Sequence, residues 1–136
     1  MNILACDVGL KHIGLAVYMH GIILPLEAII RINRNQAARD LDKLLKEREI
    51  ERLVVGLPSG GWARHEEGQR RIRHFISLLC FEGEIIFIDE DYTSIEALES
   101  LGYMKVKTRA RAQKNGMIDS LSACIILERY IESYLS

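Results

Sequence analysis

Four acidic residues stand where an α/β chain could do chemistry. Asp7 closes the apolar run ILACD, Asp89 and Glu90 close EIIFIDE, and Asp119 lies near the start of the last apolar segment, the only acid between Glu99 and Glu128. A carboxylate at the end of a core strand costs desolvation energy unless something positive meets it. Acids from distant parts of the chain, each at an element end, suit a hard divalent cation. Mg²⁺ takes oxygen ligands, keeps several waters and bridges carboxylates to phosphate. With two ions, one can activate an attacking water while the other stabilises the leaving oxygen. The chemistry implied is phosphodiester hydrolysis, rimmed by lysines and arginines that hold the backbone. Each acid also has a plainer reading: Asp7 as a turn former, Asp89 and Glu90 as a polar strand exit, and Asp119 as a first-turn acid favoured by the helix dipole.

The elements that would position these acids follow from the hydrophobic pattern. Residues 3–6 and 13–19 are apolar runs separated by a glycine-bearing turn, and GIILPLEAII follows Gly21 as a third strand with an irregularity expected at Pro25. Three strands joined by short turns predict an antiparallel meander. The period then changes. Ala37, Leu41, Leu44, Leu45 and Ile50 share a helical face, with Asn33 or Asn35 as the cap. RLVVGLP reads as a buried strand, SGGW as a loop, and 66–79 as a helix with Ile72, Phe75, Ile76 and Leu79 inward. EIIFID is a further strand. TSIEALESLG predicts a helix capped by Thr93 with Glu96 in the capping-box position, and 118–134 a helix with Leu121, Ile125, Leu127 and Ile131 as broad apolar coverage. Strands alternating with helices after the meander give an α/β class with a mixed sheet.

At 136 residues the chain suits one domain, and 49% hydrophobic with 27% charged residues is the balance of a soluble globular protein. Its start lacks a basic region followed by a signal-like apolar stretch, and no apolar run approaches bilayer-spanning length, so a cytoplasmic location without membrane association is expected. Cys6, Cys80 and Cys124 sit singly in apolar contexts, with neither metal spacing nor a disulfide framework. Core packing is the expected role of all three. The net charge of −1 hides an uneven distribution: Lys105, Lys107, Arg109, Arg111 and Lys114 fall in an acid-free stretch, Arg64, Arg70, Arg71 and Arg73 cluster earlier, and 82–99 is acidic. Such asymmetry permits a basic rim around an acidic centre.

In order along the whole chain, CDVGLKHIG, VVGLPSG followed by Gly68, Arg71 and Phe75, IDEDYTSIEA and KNGMIDSLSACIIL resemble the YqgF/RuvX family. That family is Holliday junction resolvase-like, has an RNase H-like fold, and is linked to nuclease processing of pre-16S ribosomal RNA. The resemblance implies one RNase H-like domain over residues 1–136, with a mixed central sheet, an antiparallel N-terminal meander and flanking helices. It implies Asp7, Glu90 and Asp119 as the catalytic, metal-binding acids for Mg²⁺ or Mn²⁺. Asp89 is a fourth candidate, since adjacent acids leaving a strand point in opposite directions; Glu90 is preferred for its longer reach, and a register shift would reverse the choice. Lys11, Arg111 and Lys114 would contact substrate phosphate, and Thr93 would contact the substrate. Plainer roles for them are an ion pair to Asp7, a helix cap and a solvated loop.

Two positions depart from the family pattern. Asp91 stands where an arginine usually follows Asp–Glu, which reverses a charge beside the proposed centre and shifts phosphate holding toward Arg109 or Arg111. His12 replaces another usual arginine and is only partly charged near neutrality. Other readings compete. The first hairpin also looks like that of actin-like ATPases and sugar kinases, but those pair two domains around a nucleotide. A non-catalytic RNA- or protein-binding module would keep the fold without turnover. A DNA junction resolvase would need a homodimer to cut two related strands. Trp62 could stack on a base or cover the core. The reading adopted is a cytoplasmic metal-dependent endonuclease acting in 5′-end processing of pre-16S rRNA, with branched DNA as the alternative substrate.

Overall fold

The computed structural model describes residues 1–58, 63–89 and 117–134, with the side chains at 63–65 and 117–119 outside that description. The elements run β1 (Ile3–Val8), β2 (His12–Met19), β3 (Ile22–Ile30), α1 (Arg34–Glu47), β4 (Arg52–Leu57), α2 (Ala63–Ser77), β5 (Glu84–Asp89) and α3 (Met117–Tyr134). The five strands form one sheet in the order β3-β2-β1-β4-β5. β2 is antiparallel to β1 and β3, whereas β1, β4 and β5 run parallel. This is a mixed sheet flanked by helices, the architecture of the RNase H-like fold. Because β1, β4 and β5 share a direction, their C-terminal ends share one rim.

The pleat divides the core in two. Successive strand side chains point to opposite faces, so Leu4 and Cys6 of β1 pack with α1 and α2, while Ile3 and Ala5 pack with α3. Leu41, Leu45, Ile72 and Phe75 fill the first cluster, and Ala123, Ile126, Leu127 and Tyr130 fill the second. The parallel β4 is buried on both faces and accordingly reads as an unbroken apolar run.

Local chemistry explains the turns. His20 and Gly21 both have positive φ (53° and 79°), the two-residue arrangement whose twist suits a hairpin between β2 and β3. Of the two candidate caps, Asn33 begins α1: its side chain accepts from the Gln36 amide at 2.8 Å and the Gln36 side chain accepts from the Asn33 amide at 3.2 Å. The two orphan donors are thus satisfied reciprocally. Met117–Tyr134 is the longest helix described, and among the described residues no helix is long and apolar enough to cross a membrane.

Four expectations are corrected. The β2–β3 register shifts between Ile13 and Leu15, not at Pro25, which pairs in register with Ala16. Proline is tolerated there because β3 is an edge strand among the described residues. Helix α2 begins at Ala63 and ends at Ser77, earlier at both ends than the apolar period implies. In α3 the fully buried stripe is Ala123, Ile126, Leu127 and Tyr130, leaving Leu121, Ile125 and Ile131 half-buried. Of the cysteines only Cys6 is a buried core residue; Cys124 is half-buried, and Cys80 is exposed, its amide held by both carboxylate oxygens of Asp42 at 3.0 Å. The predicted helix at 93–102, the basic stretch 105–114 and Trp62 lie outside the described residues.

Candidate active site

The first hairpin builds the rim from the backbone up. Asp7 is the penultimate residue of β1, half-buried, and pairs in register with Gly14 of β2. It follows Ile3 and Ala5 on the pleat and so shares the α3 face of the sheet. Gly14 opposite carries no side chain to cover the carboxylate. Beyond Val8 the chain reverses tightly: the Gly9 amide donates to the His12 carbonyl at 3.0 Å. A Cβ on Gly9 would stand 2.6 Å from that same oxygen, so this turn requires glycine. Lys11 is exposed at the turn, and half-buried His12 begins β2, its Cα opposite Ile30.

Helix α3 is brought to this hairpin by a serine. Ser120, only 1% exposed, accepts from the Leu15 amide at 3.3 Å and donates to the Leu26 carbonyl at 2.7 Å. It bridges β2 and β3 where their register shifts, one residue past Gly14. The backbone of Asp119, in the first turn of α3 and adjacent to Ser120, is thereby carried to the neighbourhood of the residue facing Asp7. The two acids, far apart in sequence, are placed on elements tied together at that point.

Asp89 ends β5 on the same rim, its Cα opposite Leu57. Ile86 and Ile88 pack with the α3 cluster; Ile85 and Phe87 pack with the α1–α2 cluster, and the Arg73 guanidinium of α2 lies 4.5 Å from the Phe87 ring centre. Asp89 follows Phe87 by two residues, and at this edge of the sheet it lines a cavity with Arg129, Glu132, Ser133 and Tyr134 of α3, nine or more residues along the helix from Ser120. Glu90, Thr93, Arg109, Arg111 and Lys114 lie outside the described residues, as does the side chain of Asp119. Among the described residues no three histidine, cysteine, aspartate or glutamate groups assemble as metal ligands.

One cation at the rim has no counterpart among the expected site residues. Arg31 follows β3, its amide donating to the Lys11 carbonyl at 2.8 Å and its guanidinium to the Gly9 carbonyl at 3.0 Å. The same guanidinium lies 5.3 Å from the centre of the Phe75 ring of α2. Arg31 therefore locks the β1–β2 turn from beneath. Burial, then the like charges of Arg34 and Arg71, pull its pKa below the ordinary arginine value. Sequence offered one faint signal: a charged residue immediately after a strand, where solvent exposure alone could explain it. Ser120 gave none, because a serine beside an aspartate at a helix start reads as capping.

Comparison with known proteins places this arrangement. The family model described as RuvX, Holliday junction resolvase, matches residues 1–133. A protein of Helicobacter hepaticus named "Putative pre-16S rRNA nuclease" is 69% identical over 134 residues, covering 98% of this chain and 97% of its own. One of Helicobacter pylori with the same name is 59% identical over 133 residues, with the same coverage of 98% and 97%. Among solved structures, the Holliday junction resolvase of fowlpox virus superposes with a TM-score of 0.60 at 16% identity, over 98% of this chain and 99% of its own. At that identity the likeness speaks for the fold alone.

Proposed function

The chain belongs to the RuvX family, and from that membership we propose that it is a divalent-metal-dependent nuclease that hydrolyses phosphodiester bonds, acting in 5′-end processing of pre-16S ribosomal RNA. The observation that carries the reading is the Ser120 bridge, which ties the acid-bearing start of α3 to the strand position beside Gly14, opposite Asp7. The name shared by the relatives supports RNA as the substrate.

Asp7, Glu90 and Asp119 would hold Mg²⁺ or Mn²⁺. The donor set fits a hard ion: it is made of carboxylate oxygens, and the described part of it, Asp7, is half-buried at a strand end opposite Gly14. Preference for Glu90 over Asp89 rests on its longer reach and on Asp89 lining a cavity with the far part of α3, nine or more residues beyond Ser120. When bound, the metal would supply charge neutralisation at the phosphate and a more acidic water nucleophile. The chain's own residues do the positioning. The glycine-requiring turn and Arg31 fix the end of β1, so the Asp7 carboxylate presents its oxygens in one place rather than sampling several. Lys11, exposed at the turn tip, is available to a substrate phosphate. Thr93, Arg109, Arg111 and Lys114 would extend that contact, with His12 as a further hydrogen-bond donor.

The deciding experiment is cleavage of labelled precursor rRNA, single-stranded RNA and a four-way DNA junction in Mg²⁺, Mn²⁺ or EDTA, beside Asp7→Asn and Asp119→Asn proteins. Metal-dependent cutting of the precursor, reduced at least about a hundredfold in both folded variants, is expected. Preferential cutting of the junction would assign the activity to DNA. Cutting unchanged in both variants would remove these acids from the site.

A further inference from the structure

A cavity of about 180 Å³ opens at the rim between the β1–β2 turn and α2, bounded by Gly9 and Leu10 on one side, Gly68 and Arg71 on the other, with Arg31 and Pro58 between. It lies on the α2 face of the sheet, the face opposite Asp7. Its polar character is one-sided. Two guanidinium-bearing residues line it, and no carboxylate does so among the described residues. Arg71 is exposed, while Arg31 is half-buried and held by Gly9 and Phe75. Gly68 brings the α2 backbone close: a Cβ there would meet the Pro58 ring at 3.4 Å and stand 3.9 Å from an Arg71 terminal nitrogen. Two arginines gathered without an acid repel each other; after the larger effects of burial and Arg34, the Arg71 charge lowers the Arg31 pKa. An anion would relieve that repulsion, and arginine forks match phosphate oxygens in pairs.

We propose that this cavity is a second phosphate subsite, in which Arg31 and Arg71 hold a non-scissile backbone phosphate of the nucleic-acid strand being cut. The placement supports a strand rather than a lone ion. Gly9 lies two residues beyond Asp7, at most roughly 7 Å of chain, so the guanidinium bonded to Gly9 stands within a few nucleotide steps of the proposed reacting phosphate. A strand crossing the rim from the α3 face to the α2 face would leave one phosphate over Asp7 and a neighbouring one in the cavity. Such a contact fixes register without reading sequence. The assignment rests on the nuclease reading for its strand, but not for its anion.

Arg71 is the residue to test, since it is exposed, whereas loss of Arg31 would also loosen the turn. The full chain, Arg71→Gln, Arg71→Lys and a control on the far helix, Lys43→Gln, are titrated with inorganic phosphate while the Gly9 and Gly68 amides are followed by NMR. Phosphate is expected to shift both amides in the parent and in Lys43→Gln, less in Arg71→Lys, and not in Arg71→Gln. A labelled single-stranded precursor RNA is then bound across a salt series. Losing one phosphate contact should lower the slope of log affinity against log salt by about 0.7, and should raise KM in the cleavage assay with kcat kept. Unmoved amides in the parent, or a salt slope and KM unchanged in Arg71→Gln while the parent still cuts, overturn the subsite alone. Phosphate binding in a parent that neither binds nor cuts RNA or junction DNA overturns the nuclease reading, and with it the assignment to a strand.

Discussion

Ser120 of α3 accepts a hydrogen bond from the amide of Leu15 in β2 at 3.3 Å, and its hydroxyl donates onward to the Leu26 carbonyl. One side chain thus links a helix to two strands at the position where their register shifts, and it does so next to Asp119. Ser120→Ala strands a buried donor and a part-buried acceptor at once, and the buried amide alone costs about 1–3 kcal/mol when left unpaired. A lower melting temperature is expected, with reduced cleavage in protein that is still folded. Ser122, fully buried but with no partner for its hydroxyl among the described residues, is the contrast. Ser122→Ala should leave stability level or raise it, because burying an unpaired hydroxyl is itself unfavourable. Equal melting shifts in the two variants would remove the bridge from its positioning role.

The β1–β2 turn makes a second prediction. Gly9→Ala sets a methyl group 2.6 Å from the His12 carbonyl oxygen, a backbone atom that cannot swing aside as a side-chain tip would. The turn must open, weakening the Gly9–His12 hydrogen bond and the Arg31 contact to the Gly9 carbonyl. Overpacking of this kind costs about 1–3 kcal/mol. Denaturant unfolding should show that loss, and cleavage should fall with it. A variant as stable as the parent would mean that the turn relaxes freely.

How much of this was legible in the sequence depends on the range of the interaction. The meander, the alternating helices and the inward set Ile72, Phe75 and Ile76 follow from local periodicity, and the structure bears them out. The cap of α1 was legible to within two residues, since Asn33 and Asn35 both precede the apolar face; only the reciprocal bond with Gln36 decides between them. What depends on long-range pairing was not legible. The bulge sits opposite Ile13–Leu15 instead of at Pro25 because it accommodates Ser120, more than a hundred residues away in sequence. Cys80 sits among apolar residues in sequence yet is exposed, because α2 has already ended at Ser77. Arg31 carries no local mark of its three attachments, to Lys11, Gly9 and Phe75.

The two adjacent acids Asp89 and Glu90 can be separated by substitution. Asp89 lines a cavity with Arg129, Glu132, Ser133 and Tyr134 of α3, nine or more residues along that helix from Ser120 and the acid beside it. Asp89→Asn is therefore expected to retain cleavage within a few-fold, while Glu90→Gln should lose it on the scale of Asp7→Asn, at least about a hundredfold. Metal titration of the residual activity checks the pair: the Glu90 variant should need more Mn²⁺ and the Asp89 variant should not. The reverse pattern would put the ligand on Asp89.

The thiols provide a test that does not depend on catalysis. Burial, and then the nearby Glu128 carboxylate, push the Cys124 thiol from 9.0 up to about 11. Between those values the unfolded chain has released the proton and the folded chain still holds it. The folded state then binds more protons, so the Cys124 contribution to stability is complete below pH 9 and is lost as pH climbs toward 11. A Cys124→Ala variant should therefore lose less stability than the parent over that interval, read as the difference between their urea midpoints. Alkylation supplies the local check, because the thiolate is the reacting species. Cys80, which is exposed, should label first in the native protein, with Cys124 following only as pH nears 11 and Cys6 only on unfolding. Labelling of Cys124 at pH 8 as fast as that of Cys80 would mean that α3 lifts from the sheet in solution, which would also free Ser120 from Leu15 and separate Asp119 from Asp7.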